Sequence, residues 1–240
     1  MKFKILIERN LMHPCIVPMT SLFQSSADPT AAEPMAAYMR NKFPFLGIKS
    51  PLRRQLEREF IDEHGLPPLE ELSTVLLDLW SLPEREYQYT ALMLLGKFER
   101  KLPPDFIETI ETLLTTKSWW DTVDTIASNT VGTHFRRFPE VRKLKLAQWR
   151  SSEDFWLRRT CILFQLKYKK ETDFELLKAI IRENLGSKEF FINKAIGWSL
   201  RQYSRIDPNA VRAFVTETPL AHLSAKEALK WLKRQEEKSL

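Results

Sequence analysis

Glycine is scarce in this chain of 240 residues: 6 glycines stand against 14 prolines, and the prolines fall at fairly regular intervals. That balance disfavours a strand-rich fold and favours helices joined by short turns. Cysteine is scarcer still. Cys15 and Cys161 lie far apart, and His13, His64, His134 and His222 show no ligand spacing, which excludes a disulfide framework and a clustered metal site. No metal and no cofactor is expected. Long apolar runs are missing too. The opening MKFKILIERN has one short run broken by Glu8 and Arg9, too short for a signal peptide or a membrane span, so a soluble, cytoplasmic protein is expected. No long stretch is polar or low in complexity, which leaves no place for an extended disordered segment. Residues 1–11 read as an N-terminal extension, with Met12 an alternative start, and residues 12–240 as a single domain.

What the chain does have is basic charge and helix punctuation. The formal charge is +6 and the isoelectric point about 9.3, a balance that suits a polyanionic partner without requiring one. Helix starts are predicted at Ser50-Pro51, with Gly65 as the stop, and at Ser81, where Glu84 completes a capping-box spacing. Further starts are predicted at Pro67-Pro68, Pro103-Pro104, Ser118, Pro139, Ser151-Ser152, Asp173, Ser187, Pro208 and Ser224. The segments between them carry apolar residues at spacings of three and four.

These helices repeat. Aligned on an aromatic residue of the first turn, Tyr87, Trp120, Trp156 and Phe191 recur at intervals of 33, 36 and 35 residues, with one other helix between successive members. A two-helix unit of that length predicts an all-α fold, an α-solenoid of HEAT-like helical repeats with a concave basic groove. Four residues after each aromatic come Ala91, Asp124, Thr160 and Ala195. Small residues there let helices pack closely, and Asp124 breaks the pattern.

The stretch SWWDTVD holds two tryptophans and two aspartates. With Ser118 as cap, Asp121 falls three residues later, where a short acid closes a capping box and complements the helix dipole. Trp119 reads as a core residue. Trp120 lies one turn before Asp124 on the same face. Two readings of Asp124 stand at this point: a surface carboxylate beside a packed indole, or a carboxylate turned with that indole toward a ligand. On the corresponding helices, Arg158 and Arg159 precede the small position of their repeat, Lys194 takes the slot of Arg159, and Trp198 lies two turns after Phe191. Cations and indoles in register form the kind of surface that meets phosphates, sugars and bases.

The blocks TKSWWDTVD, FWLRRTCILFQLKYK, SKEFFINKAIGW, LPEREYQ and AEPMAAYMRNKFPFLGI closely resemble the AlkD-like DNA alkylation repair proteins, DNA glycosylases built from HEAT-like repeats. The likeness runs from about residue 12 to the C-terminus. It implies excision of N7-alkylguanine and N3-alkyladenine from double-stranded DNA without flipping of the base into a tight pocket. It places the catalytic carboxylate on Asp124, the indoles flanking the lesion on Trp120 and Trp198, the supporting arginine on Arg159, and a tyrosine of the N-terminal helices on Tyr38. Arg53, Arg54, Arg158, Lys194 and Arg201 are the expected phosphate contacts. Lys117 is expected to serve as a phosphate contact or a solvated side chain, not as a Schiff-base nucleophile. The expected partner is alkylated duplex DNA and the expected state a monomer.

The residue inventory agrees with that chemistry. Glycosidases generally need two carboxylates because a neutral leaving group must be protonated. A cationic alkylpurine leaves without a proton, so one carboxylate suffices to stabilise the deoxyribose oxocarbenium ion and position water, and aromatic faces can add to that stabilisation. The competing reading is a non-catalytic HEAT-like scaffold that binds DNA or protein.

Overall fold

The computed structural model describes residues 12–238; the segment 1–11, expected to be an extension, and the last two residues lie outside the described residues. Among the described residues the chain is all helix with no strand. The α-helices are α1 (Val17–Ser25), α2 (Pro29–Tyr38), α3 (Ser50–His64), α4 (Leu72–Ser81), α5 (Arg85–Phe98), α6 (Ile107–Thr115) and α7 (Trp120–Thr125), then α8 (Gly132–Arg137), α9 (Pro139–Trp149), α10 (Phe155–Leu163), α11 (Phe174–Glu183), α12 (Phe190–Tyr203), α13 (Pro208–Glu217) and α14 (His222–Glu236). Between α7 and α8 the chain forms a π-helical turn, Ile126–Val131. Residues through Leu95 form one compact unit and those from Gly96 a second.

Several predicted starts hold. α9 and α13 begin at Pro139 and Pro208, Asp173 caps α11 by accepting from the Leu176 N–H at 2.9 Å, and Gly65 closes α3 with φ 77°. Others are corrected. Ser50 is the first residue of α3, and Lys49 takes the cap position. Ser81 ends α4, its hydroxyl donating back to the Asp78 carbonyl at 2.7 Å, and α5 starts at Arg85. At α10 the cap is Asp154, not Ser151 or Ser152; at α12 the helix starts beyond Ser187; and Ser224 lies within α14. A carboxylate is a stronger acceptor than a hydroxyl at the positive end of a helix, and serine hydroxyls turn readily to the carbonyls of the preceding turn.

In the first unit, the wholly buried Glu86 organises the loop between α2 and α3. Its carboxylate accepts from the backbone N–H groups of Leu46, Gly47 and Ile48 at 3.0, 2.9 and 3.1 Å. Burial pushes the Glu86 carboxyl up, against the pull of those donors. Gly47 is required there: its φ is +86°, and a Cβ would lie 1.9 Å from the Asp28 carbonyl oxygen. Gly47→Ala is therefore expected to cost about 2 kcal/mol or more of unfolding free energy, read by urea denaturation. A midpoint equal to wild type would show that the loop relaxes freely.

In the second unit the repeat prediction is realised in the packing. α10 contacts α6, α7 and α12 in turn, and α12 packs on α14. The aligned aromatics fall in the first turns of their helices, and Thr160 and Ala195, two of the small residues that follow them, are wholly buried. Polar links join residues one repeat apart: Asp124 to Arg159 over 35 positions, Glu111 to Lys145 over 34, and Lys194 to Glu227 over 33. Such pairs are what stacked two-helix repeats produce, since each repeat touches chiefly its neighbour. The fold is an α-solenoid of HEAT-like repeats.

Candidate active site

The turn before α7 aims the SWWDTVD motif. Lys117 adopts φ 47°, Ser118 donates its hydroxyl to the Leu114 carbonyl at 2.6 Å, and Trp119 is extended at φ −155° in the cap position. Ser118 thus closes the preceding helix and does not cap α7, so the predicted capping box with Asp121 does not form. The left-handed residue at 117 points the serine backward. Trp119 packs edge-on against Trp156 and Phe191, with ring centroids 5.9 and 5.1 Å away, but it is half-buried at the edge of that aromatic cluster and not enclosed in the core. Trp120 starts α7, and Asp124 lies one turn on.

Asp124 is held from α10. The Nε and Nη2 of Arg159 donate to its two carboxylate oxygens at 2.7 and 2.8 Å, a bidentate pair. The third corner of the guanidinium, Nη1, donates to the Phe191 carbonyl at the start of α12. One arginine therefore ties α7, α10 and α12 together. Its side chain is 3% exposed, while that of Asp124 keeps 17% exposure. The pair is buried from the arginine side and open on the aspartate side. Burial pushes the Asp124 carboxyl up, the Arg159 hydrogen bonds and charge pull it down, and Asp121 adds a smaller upward push; the net direction is upward. A carboxylate that is costly to keep ionised, yet fixed in orientation, is primed to face a positive charge.

The remaining predicted residues fall in two places. On α12, Trp198 is half-buried two turns beyond Phe191, and Lys194 and Arg201 flank it, each paired with Glu227 of α14. Arg158 turns to the carbonyls of Ser152 and Glu153, at the entry to its own helix. In the first unit, Tyr38 is 71% exposed at the end of α2 and borders an open groove of about 610 Å³ with Met35, Phe45, Lys49, Arg53 and Tyr89. There Arg53 pairs with Glu57 at 2.5 Å and lies over the Tyr89 ring, while Arg54 is exposed. The roles of the Phe191 carbonyl and Glu227 are not visible in the sequence. A backbone acceptor leaves no compositional trace, and Glu227 sits in a helix that reads as an ordinary charged one.

Among the described residues no group of three or more His, Cys, Asp and Glu is placed to hold a metal ion, and no helix is long and apolar enough to cross a membrane. Residues 19–232 match the family profile described as DNA alkylation repair enzyme. A solved structure, the predicted DNA alkylation repair enzyme from Enterococcus faecalis, is similar over 86% of this chain and 96% of that one, at 33% identity and a TM-score of 0.79. No functionally curated sequence matches the chain.

Proposed function

We propose that this chain, which belongs to the DNA alkylation repair enzyme family, is a monofunctional DNA glycosylase that removes positively charged alkylated purines, N7-alkylguanine and N3-alkyladenine, from double-stranded DNA. The reading rests above all on one observation. A single partly open carboxylate, Asp124, is clamped in a fixed orientation by Arg159, one turn from an indole on its own helix.

The chemistry needs little more. The alkylated base departs with the electrons of the glycosidic bond, which neutralise its charge, so no acid is required. The deoxyribose left behind carries the positive charge at C1′. Asp124 opposes that charge and orients a water, whose oxygen bonds to C1′ as its proton passes to the carboxylate or to solvent. Trp120 and Trp198 add aromatic faces to the cationic sugar. Arg159 is a positioning residue, because it acts through Asp124. Tyr38, Arg53, Arg54, Arg158, Lys194 and Arg201 meet the sugar-phosphate backbone. Without a general acid, undamaged bases stay bonded, and with no lysine attacking C1′ the strand stays uncut. The protein acts as a monomer, without metal or cofactor, at the opening step of base excision repair in the cytoplasm.

The test is incubation with duplex DNA carrying N7-methylguanine. Free methylated base should be released, and the strand should break only after alkali treatment. Absence of release together with retained duplex affinity would favour the scaffold instead. Trp198→Ala should slow release about tenfold, in line with one lost cation–π contact, while melting within a few degrees of wild type. A collapse of the melting temperature would mark Trp198 as a core residue.

A further inference from the structure

Glu227 is a buried acid on α14, with an 11% exposed side chain, and it accepts from two cations of the same α12 face: Lys194 Nζ at 2.9 Å and Arg201 Nη1 at 2.5 Å. Lys194, Trp198 and Arg201 are spaced i, i+4, i+7, so the indole lies between the two cations along one helix face. The helices approach unusually closely beside it. A Cβ at Gly197 would lie 2.5 Å from the Glu227 Cβ and 2.8 Å from the Ser224 carbonyl, and the Ser224 hydroxyl donates to the Asn193 carbonyl at 2.9 Å. That contact sets the height of Glu227 against α12. Lysine carries three donors and arginine five, so each keeps donors to spare after binding the carboxylate. Their side chains remain 39% and 26% exposed. Two cations on one acid leave one net positive charge facing outward.

We propose that Glu227 is a positioning residue: it holds Lys194 and Arg201 in fixed places on either side of Trp198, directed at the DNA backbone. The identity of the polyanion rests on the function proposed above; the fixing of the two cations does not. The pair of cations holds the Glu227 carboxyl below its ordinary range, Lys194 contributing most, so the acid stays ionised. Free lysine and arginine side chains bind any polyanion loosely; cations locked to one acid bind phosphates at a set spacing and keep the indole in register between them.

Three measurements test this. The side-chain ¹⁵N resonances of Lys194 Nζ and Arg201 Nε should be sharp in the free protein, shift on addition of undamaged duplex, and broaden in Glu227→Gln. Resonances equally sharp in Glu227→Gln, or unmoved by duplex, overturn the proposal. If Glu227→Gln fails to fold, Glu227→Asp, which keeps the charge but shortens the reach, is read by the same spectra. The triple variant Lys194→Gln, Arg201→Gln, Glu227→Gln leaves no buried charge alone. Its affinity for undamaged duplex should lose about 0.9 in the slope of log K against log salt, the worth of the one net positive charge that the three side chains present. An unchanged slope overturns the direction assigned to the pair. Both readings use undamaged DNA, so a wild type that releases no base sinks the glycosylase reading alone. Where base is released, Glu227→Gln should slow single-turnover release at saturating protein at least tenfold, and equal rates would overturn the positioning role.

Discussion

Replacing Asp124 with asparagine should lower single-turnover release of N7-methylguanine by about a hundredfold or more, the usual scale for loss of one preorganised charge at a developing charge. The amide keeps the shape of the carboxylate but offers one acceptor oxygen, so the Arg159 clamp falls from two hydrogen bonds to one. Binding of undamaged duplex should hold or tighten, because a negative charge has been removed from a surface that meets phosphates. That split separates catalysis from folding and binding. Equal release rates would remove Asp124 from the mechanism. The pH dependence carries the same signature. Only the ionised carboxylate can oppose the sugar cation, and burial raises its pKa above the ordinary aspartate value of 3.8. Release should therefore weaken on acidification at a higher pH than an unperturbed aspartate dictates, and the acid limb should vanish in Asp124→Asn.

Arg159→Met should give the second large effect by a different route. The methionine fills part of the volume but leaves the Asp124 carboxylate unpaired in its buried setting. Without the two charge-assisted bonds, the upward push of burial acts unopposed, and the acid limb should move to still higher pH. Release near neutrality should fall about a hundredfold. Loss of a buried pair partner should also cost about 3 kcal/mol in urea denaturation. A merely structural arginine would lower stability and leave the pH profile in place. An acid limb at the wild-type position would therefore count against the positioning role.

The fold was legible because its period is written in residue size: Tyr87, Trp120, Trp156 and Phe191 recur at repeat length, with Ala, Thr and Ala four places on. Asp124 was legible as the exception to that pattern. Its clamp was less so. Arg159 stands out only as one of two adjacent arginines, and its bidentate pairing depends on the phase in which α10 stacks on α7. Ser118 misled for a local reason, since a serine before a helix satisfies the helix behind it as readily as the one ahead. Glu227 was hidden because AKEALKWLKRQ reads as a solvated charged helix, whereas the close approach at Gly197 buries one of its acids.

The π-turn Ile126–Val131 begins two residues beyond Asp124. A π-turn accommodates one more residue than an α-turn, so it acts as an angular spacer of about 100° between α7 and α8. Downstream, α8 is pinned: Tyr168 donates to the Gly132 carbonyl at 2.7 Å, and a Cβ on Gly132 would lie 2.6 Å from the Phe164 carbonyl. Upstream, α7 takes the phase that turns Asp124 to Arg159. Excising one residue of the turn, Asn129, should return the segment to α-register and swing Asp124 out of reach of its arginine. Such a deletion would retain the helical circular dichroism of the parent and abolish base release. The direction in which the carboxylate points is thus encoded by chain length as much as by side-chain identity.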